Sequence, residues 1–193
     1  MNQWLLCDYG QVLSTAPPED EWDRLRRVAG DLPAERFHSL YWEHRPAYDR
    51  ADLDAVGYWE TVLGKEPSKD LLAEIIDLDR SVWLHPNEAS VAAALRAAGR
   101  GRRLAIFSNA PVEVAAAIDA LDWLQPFEVR FYSCDLRAVK PEPGAYRQVL
   151  ERLGAPAADV LFVDDRPGNV EAARREGIRA EVFTGPDVFD RLG

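Results

Sequence analysis

Trp4-Leu5-Leu6-Cys7-Asp8-Tyr9-Gly10-Gln11-Val12-Leu13 runs largely apolar residues straight into a carboxylate, and a glycine follows two positions later. Such a run, closed by a turn residue, reads as a buried strand that delivers an acid to its C-terminal end. In an open parallel sheet that end is where ligands bind. Asp8 is therefore the candidate nucleophile and metal ligand. A simple strand-capping carboxylate is the other reading this stretch leaves open.

Further along, two more apolar runs end in small or charged polar residues. Arg103-Leu104-Ala105-Ile106-Phe107 leads into Ser108-Asn109-Ala110-Pro111, and Val160-Leu161-Phe162-Val163 into Asp164-Asp165. Glu128 to Tyr132 and Arg179 to Phe183 are further predicted strands. Helical patterns separate them. Ser90 to Ala98 is alanine-rich, with Gly99 as its expected C-cap. A helix is predicted from near Pro111 to about Leu121, proline being common just inside a helix start. Lys140-Pro141-Glu142-Pro143-Gly144 reads as a rigid turn before an amphipathic helix with Tyr146, Val149, Leu150 and Leu153. Another helix covers 168–176 and stops at Gly177. Strand and helix alternate from about residue 90 onward, which predicts an α/β fold with a Rossmann-like parallel sheet.

Between the first and second strands the pattern is helical only. Trp22, Leu25 and Ala29, then Phe37, Leu40, Tyr41 and His44, recur at three- and four-residue spacings. Tyr58 to Leu63 forms a third segment. Pro67-Ser68 starts a fourth, with Leu71, Leu72, Ile75 and Ile76 on one face. The expected organisation is an α/β unit of residues 1–13 and 86–193, with a helical cap of residues 14–85 inserted after the first strand. Four of the six tryptophans fall in this insert. Most of its aromatics are expected to form a packed helical core, with a minority available to line a pocket.

Bulk properties narrow the function. The 193 residues carry a formal charge of -10 and no basic run, which argues against nucleic acid or an anionic membrane as the main partner. Cys7 and Cys134 are too few and too scattered for a disulfide framework or a zinc site. No apolar run approaches membrane-spanning length, and no basic-then-apolar leader opens the chain. A cytoplasmic protein, monomeric or homodimeric, is the expectation. Lysine occurs only at 65, 69 and 140, so each lysine invites a question.

Taken together, Asp8, Ser108-Asn109, Lys140 and Asp164-Asp165 supply a carboxylate nucleophile, hydroxyl and amide donors, a fixed cation and an acidic pair. Adjacent carboxylates at the end of a buried strand repel unless a cation sits between them. Magnesium suits such oxygen ligands and often completes its shell with a substrate phosphate. That equipment moves a phosphoryl group through an aspartyl-phosphate intermediate.

The ordered motifs Asp8-x-Gly10-x-Val12-Leu13, Ile106-Phe107-Ser108-Asn109, Lys140-Pro141-x-Pro143 and Phe162-Val163-Asp164-Asp165 resemble those of the haloacid dehalogenase-like (HAD) hydrolase superfamily. The insert is similar to that family's helical C1 cap. The resemblance implies that Asp8 attacks phosphorus and binds Mg2+, together with the Gly10 carbonyl and Asp165. It implies that Asp164 acts behind the ligands and that Asn169 orients their loop. Ser108 and the Asn109 backbone amide would hold phosphate, and Lys140 would neutralise Asp8 and the transferring group. Gly10 departs from the family pattern. Phosphatases of the family mostly carry there an aspartate that protonates the leaving group. His44 and Glu43 are candidate substitutes, although His44 also reads as a surface or packing residue. Arg45 and Tyr48, in a cluster with Asp49, are the candidate substrate contacts of the insert, and a salt-bridged helix surface is the alternative.

The expected function is a magnesium-dependent phosphatase for a small phosphorylated metabolite, such as a sugar phosphate. Two alternatives stand beside it. A 2-haloacid dehalogenase would use the aspartate on carbon without metal, which the acidic pair and Gly10 argue against. A catalytically silent binding protein would keep the fold after losing the second acid.

Overall fold

In the computed structural model, which describes residues 3–191, the first strand β1 (Trp4–Cys7) is buried along its whole length. The outer limits 1 and 193 expected for the α/β unit lie outside the described residues. β1 is the middle of a five-stranded sheet with β2 (Arg103–Ser108), β3 (Phe127–Tyr132), β4 (Val160–Asp164) and β5 (Arg179–Val182). The order is β3-β2-β1-β4-β5, and every pairing is parallel. Strands covered on both faces need apolar residues at successive positions, which is why these runs are continuous rather than alternating.

The faces separate by residue parity. Leu5 and Cys7, Leu104 and Ile106, and Leu161 and Val163 point into one core. It is closed by α5 (Glu88–Gly99), α6 (Val112–Asp119) and the C-terminal α10 (Asp187–Arg191). Trp4, Leu6, Ala105, Phe107, Val160 and Phe162 point into the other. That side is closed by α8 (Pro143–Leu153) and α9 (Pro167–Arg175). Alanines 93, 94 and 97 of α5 are fully buried, and their small side chains bring the helix close to the sheet.

The expected cap at Gly99 shifts. Gly99 is the last residue of α5, Arg100 caps it, and Gly101 takes the positive φ of 95° that reverses the chain. Asn87 caps the other end, its Oδ1 accepting from Ser90 N at 3.2 Å. The turn expected after Asp8 runs over 9–13 and is closed by Ser14 N donating to Tyr9 O at 2.8 Å, whereas the short helices α7 (Ser133–Leu136) and α10 escaped the sequence patterns.

The helices between β1 and β2 are α1 (Glu19–Val28), α2 (Ala34–Asp49), α3 (Ala55–Leu63) and α4 (Lys69–Ser81). They bury a third cluster of their own around Leu25, Phe37, Tyr41, Tyr58, Trp59 and Ile75. Its rings pack largely edge-to-face, while Tyr48 stacks on Tyr58 with centroids 4.3 Å apart. Ser68 caps α4 by accepting from Leu71 N. Among the described residues, no helix is long and apolar enough to cross a membrane.

The C-terminal end of α2 is where these helices meet the sheet domain's loops. Tyr48 OH donates to Glu113 Oε2 at 2.8 Å, and Arg137 Nη1 donates to Ala51 O at 2.6 Å. Arg50 forms an ion pair with Glu142. Ser133 Oγ donates to Asp49 O at 2.6 Å and accepts from Ala110 N at 2.9 Å. One buried hydroxyl thus joins the end of α2 to the loop that follows β2.

Candidate active site

Parallel register sets the site. Cys7 lies opposite Ile106 on β2 and Val163 on β4, so the following residues leave the sheet side by side. Asp8 comes level with Asp164, and Ser108 and Asp165 lie one step beyond. Asp8 is anchored by its own N–H donating to Val163 O at 2.8 Å. Its Oδ1 accepts from Tyr9 N at 2.7 Å, which turns the chain away from the sheet.

Lys140 is the hinge of the charge arrangement. It is 5% exposed, and its Nζ lies 2.8 Å from Asp8 Oδ1, 2.7 Å from Asp164 Oδ2 and 2.8 Å from the Phe107 carbonyl. Three acceptors use all the donors an ammonium has. Asn109 places this lysine: its Oδ1 accepts from Lys140 N at 2.8 Å and its Nδ2 donates to Lys140 O at 2.9 Å. Sequence reasoning gave Asn109 only a backbone part, whereas its side chain clasps the lysine-bearing turn. Among the described residues Ser108 Oγ has a single long contact, 3.5 Å to the Asn109 carbonyl, which leaves the hydroxyl open to a ligand.

Asp164 is fully buried and saturated. It accepts from Lys140 Nζ, from Arg166 N at 2.8 Å and from Asn169 Nδ2 at 2.9 and 3.0 Å. Asp165, half-buried, faces the cavity. Asp8, Asp164 and Asp165 each offer an oxygen, all within 4.8 Å of one another. One ammonium does not balance three clustered carboxylates. An all-oxygen set with this excess of negative charge suits a hard divalent cation.

Charge and burial move the titrations accordingly. Burial pushes Asp8 up to about 7; Lys140 pulls it down, while Asp164 and Asp165 push it up. Burial also disfavours the Lys140 ammonium, but Asp164 and Asp8 outweigh it and hold its pKa above the ordinary value. The neighbouring Cys7 thiol is pushed up by burial and by Asp8, so it stays protonated and serves as packing.

Above these groups opens a cavity of about 420 Å³. Its floor holds Asp8, Gly10, Ser108, Asn109, Lys140, Asp165 and Asn169, and its walls include Trp42, Arg45, Asp49, Trp83 and Arg166. Every site residue expected from the α/β unit faces it except the saturated Asp164. The insert behaves differently. Tyr48 does not line the cavity; its ring is buried against Tyr58 and its hydroxyl is spent on Glu113. Arg45 does line it, but not as part of a helix surface. It is 4% exposed, with Nε 2.8 Å from Asp49 Oδ1 and Nη1 3.2 Å from Asp79 Oδ1. His44 and Glu43 are not among the lining residues.

Sequence reasoning singled out none of Trp42, Trp83 and Arg166 as lining residues, and named Asp49 only as a member of the cluster with Arg45 and Tyr48. The clustering of tryptophans in the insert was the available signal for the first two. Arg166 lies 5.8 Å over the Trp42 ring, and the two tryptophans meet edge-to-face at 6.2 Å. A Cβ at Gly10 would stand 3.9 Å from Trp83 Cζ3, an ordinary contact, and φ there is -62°. Neither space nor backbone demands glycine at that position.

A family model described as haloacid dehalogenase-like hydrolase matches residues 15–177. The chain belongs to the haloacid dehalogenase-like hydrolases. Among curated relatives, this hydrolase is 32% identical over 100 residues to a phosphoglycolate phosphatase of Escherichia coli K12, covering 51% of the chain and 39% of that relative. It is 33% identical over 81 residues to flavin mononucleotide hydrolase 1 of Arabidopsis thaliana, covering 42% and 33% respectively. The chain thus spans well under half the length of these relatives. Among solved structures, a HAD family enzyme from Bacteroides thetaiotaomicron superposes with a TM-score of 0.79 at 18% identity, over 99% of this chain and 98% of that one. The same enzyme in complex with magnesium and inorganic phosphate gives 0.73 at 17% identity, over 94% of each chain. An L-2-haloacid dehalogenase from Xanthobacter autotrophicus gives 0.71 at 21%, over 93% and 76%. At such identities the likeness is one of fold, shared by an enzyme crystallised with phosphate and one carrying chloropropionic acid.

Proposed function

We propose that this HAD-like hydrolase is a magnesium-dependent phosphatase of small phosphate monoesters, working through an aspartyl-phosphate on Asp8. The observation that carries the reading is the cluster at the sheet edge: Asp8 and Asp164 share Lys140, and Asp165 completes a carboxylate triangle within 4.8 Å. Asp8, the Gly10 carbonyl and Asp165 would hold the ion. Bound there, Mg2+ would draw the anionic phosphate toward an anionic nucleophile and offset the charge that builds on the transferred group.

This chain's own residues do the rest. The Asp8 carboxylate oxygen attacks phosphorus and the ester oxygen leaves. Ser108 Oγ and the backbone N–H of Asn109 hold the non-bridging oxygens. Lys140 keeps its charge beside both the nucleophile and the phosphoryl group, because its pKa is held up. Asp164 and Asn169 fix the loop that carries Asp165. Water then releases phosphate from Asp8. Residues 14–85 act as a cap that roofs the cavity with Trp42 and Trp83 and excludes water during transfer. A dehalogenase needs the nucleophile but no ion, and so would leave the carboxylate triangle unexplained. The relative acting on phosphoglycolate supports a small anionic substrate.

The test is hydrolysis of nitrophenyl phosphate with and without magnesium, by wild type and Asp8→Asn. Turnover that needs both magnesium and Asp8 supports the reading. Turnover indifferent to either one sinks it, and chloride release from 2-chloropropionate without metal replaces it with the dehalogenase.

A further inference from the structure

Phosphate esters with alkoxide leaving groups need a proton donor, and Gly10 has none to give. The cavity is lined by the carboxylates of Asp8, Asp165 and Asp49. The first two belong to the cation cluster. Asp49 stands apart from that cluster, on the last turn of α2 and on the cavity wall formed by the helical segment.

Its geometry is fixed from two directions. Ser133 ties its carbonyl to the loop after β2, within two hydrogen bonds of the backbone next to Ser108-Asn109. Arg45, one turn earlier on the same face, donates from Nε to Asp49 Oδ1. Oδ2 has no hydrogen-bond partner among the described residues, and the side chain keeps 10% of its surface open, toward the cavity. The charged and titratable groups facing it are Arg45 on its own helix, Tyr58 on α3, Asp79 on α4, Cys134 on α7 and Arg166 after β4. Arg45 is shared between two buried carboxylates, Asp49 and Asp79, so its single charge does not balance both. Burial, with Asp79 reinforcing it against Arg45 and Arg166, raises the Asp49 pKa above the ordinary carboxylate value. That is the direction a proton donor requires.

Building on the phosphatase reading above, we propose that Asp49 is the general acid and base of this enzyme, supplied by the helical segment in place of a carboxylate at Gly10. In the first step an Asp8 oxygen bonds to phosphorus, the phosphorus–ester oxygen bond breaks, and Asp49 gives its proton to the departing oxygen. In the second step Asp49, now a carboxylate, takes a proton from water as that water's oxygen attacks phosphorus. Phosphate leaves with the P–O(Asp8) electrons returning to the Asp8 carboxylate. The sum is ester plus water to alcohol plus phosphate.

The experiment compares kcat/KM of wild type and Asp49→Asn on an alkyl phosphate and on dinitrophenyl phosphate, with magnesium. Asn keeps the acceptor for Arg45, and a melting curve checks that the variant folds. General acid help is worth about 10²–10⁴ in rate, so the alkyl ester should lose about 10²-fold or more. The dinitrophenyl ester, whose leaving group needs little protonation, should lose at least about tenfold less. The basic limb of the alkyl-phosphate pH profile should vanish in the variant, and Gly10→Asp added to Asp49→Asn should restore activity on the alkyl ester. Equal losses on both esters would overturn the proposal and make Asp49 a positioning residue for Arg45. Failure of wild type on both esters would instead refute the phosphatase reading and, with it, the role for Asp49.

Discussion

Replacing Asp8 by Asn should make the metal-free protein more stable at neutral pH while removing the proposed nucleophile. Burial holds folded Asp8 at about 7 against the ordinary 3.8. The folded chain therefore binds this proton more tightly than the unfolded chain does. For an acid raised in this way, the stabilisation is fully present below the unfolded pKa and is lost as pH rises through the folded one. The window runs from 3.8 to about 7. At ~1.36 kcal/mol per unit the cost reaches up to about 4 kcal/mol at pH 8, an order of magnitude that already includes the attraction of Lys140. Asn is never charged and escapes this cost.

About two of the three units lie between pH 5 and pH 7, so the advantage of Asp8→Asn should widen by about 3 kcal/mol from pH 5 to pH 8. For a chain of this size that is roughly 6–12 °C in Tm. Circular-dichroism melts of both proteins in excess chelator, from pH 5 to pH 8.5, measure it. Magnesium added at pH 8 should raise the wild-type Tm more than the variant's, because an ion that binds the folded carboxylates stabilises by mass action. A Tm difference that stays flat across the pH range would refute the assignment of Asp8 as a buried carboxylate held under electrostatic stress.

Three other substitutions probe separate parts of the molecule. Lys140→Met removes the ammonium shared by Asp8 and Asp164. Breaking such a buried pair costs about 3–5 kcal/mol, so urea midpoints in chelator should drop sharply and recover in part with magnesium. Leu6→Ala, at a fully buried position on the middle strand, should cost about 2–5 kcal/mol in urea unfolding with an unchanged slope. Tyr48→Phe should lower stability by about 1–2 kcal/mol through the lost bond to Glu113. Its effect on KM for nitrophenyl phosphate should stay small, since the ring lies outside the cavity wall; a tenfold rise in KM would put Tyr48 back at the substrate.

How far the chain could be read depended on whether its signals were local. The strands at 4–7, 103–107 and 160–163 were legible because both faces of the sheet are covered, and both faces therefore demand apolar residues. Once those strands are parallel neighbours, their polar ends must meet, and Asp8, Ser108 and Asp164-Asp165 follow. The insert resisted for the opposite reason. A helix pattern marks which face is apolar, but not which polar residues on that face are drawn inside. Arg45 is held by Asp79, 34 positions away, through a pairing that no spacing rule foretells. Asp49 lies one helical turn after Arg45, so the shared face was visible; its opening onto the cavity was not. Trp83 follows the end of α4, and its place opposite Gly10 depends on Tyr9 OH donating to its carbonyl across 74 positions.

The Ser133 hydroxyl that bridges the Asp49 carbonyl and the Ala110 amide carries a mechanical consequence. Lifting the end of α2 away from the sheet has to break its 2.6 Å bond to Asp49. The loop after β2 then loses the bridge that ties Ala110 to the end of α2. Under the proposed phosphatase reading, product escape and slackening of the phosphate cradle would become a single event, timed in part by a serine that does not line the cavity.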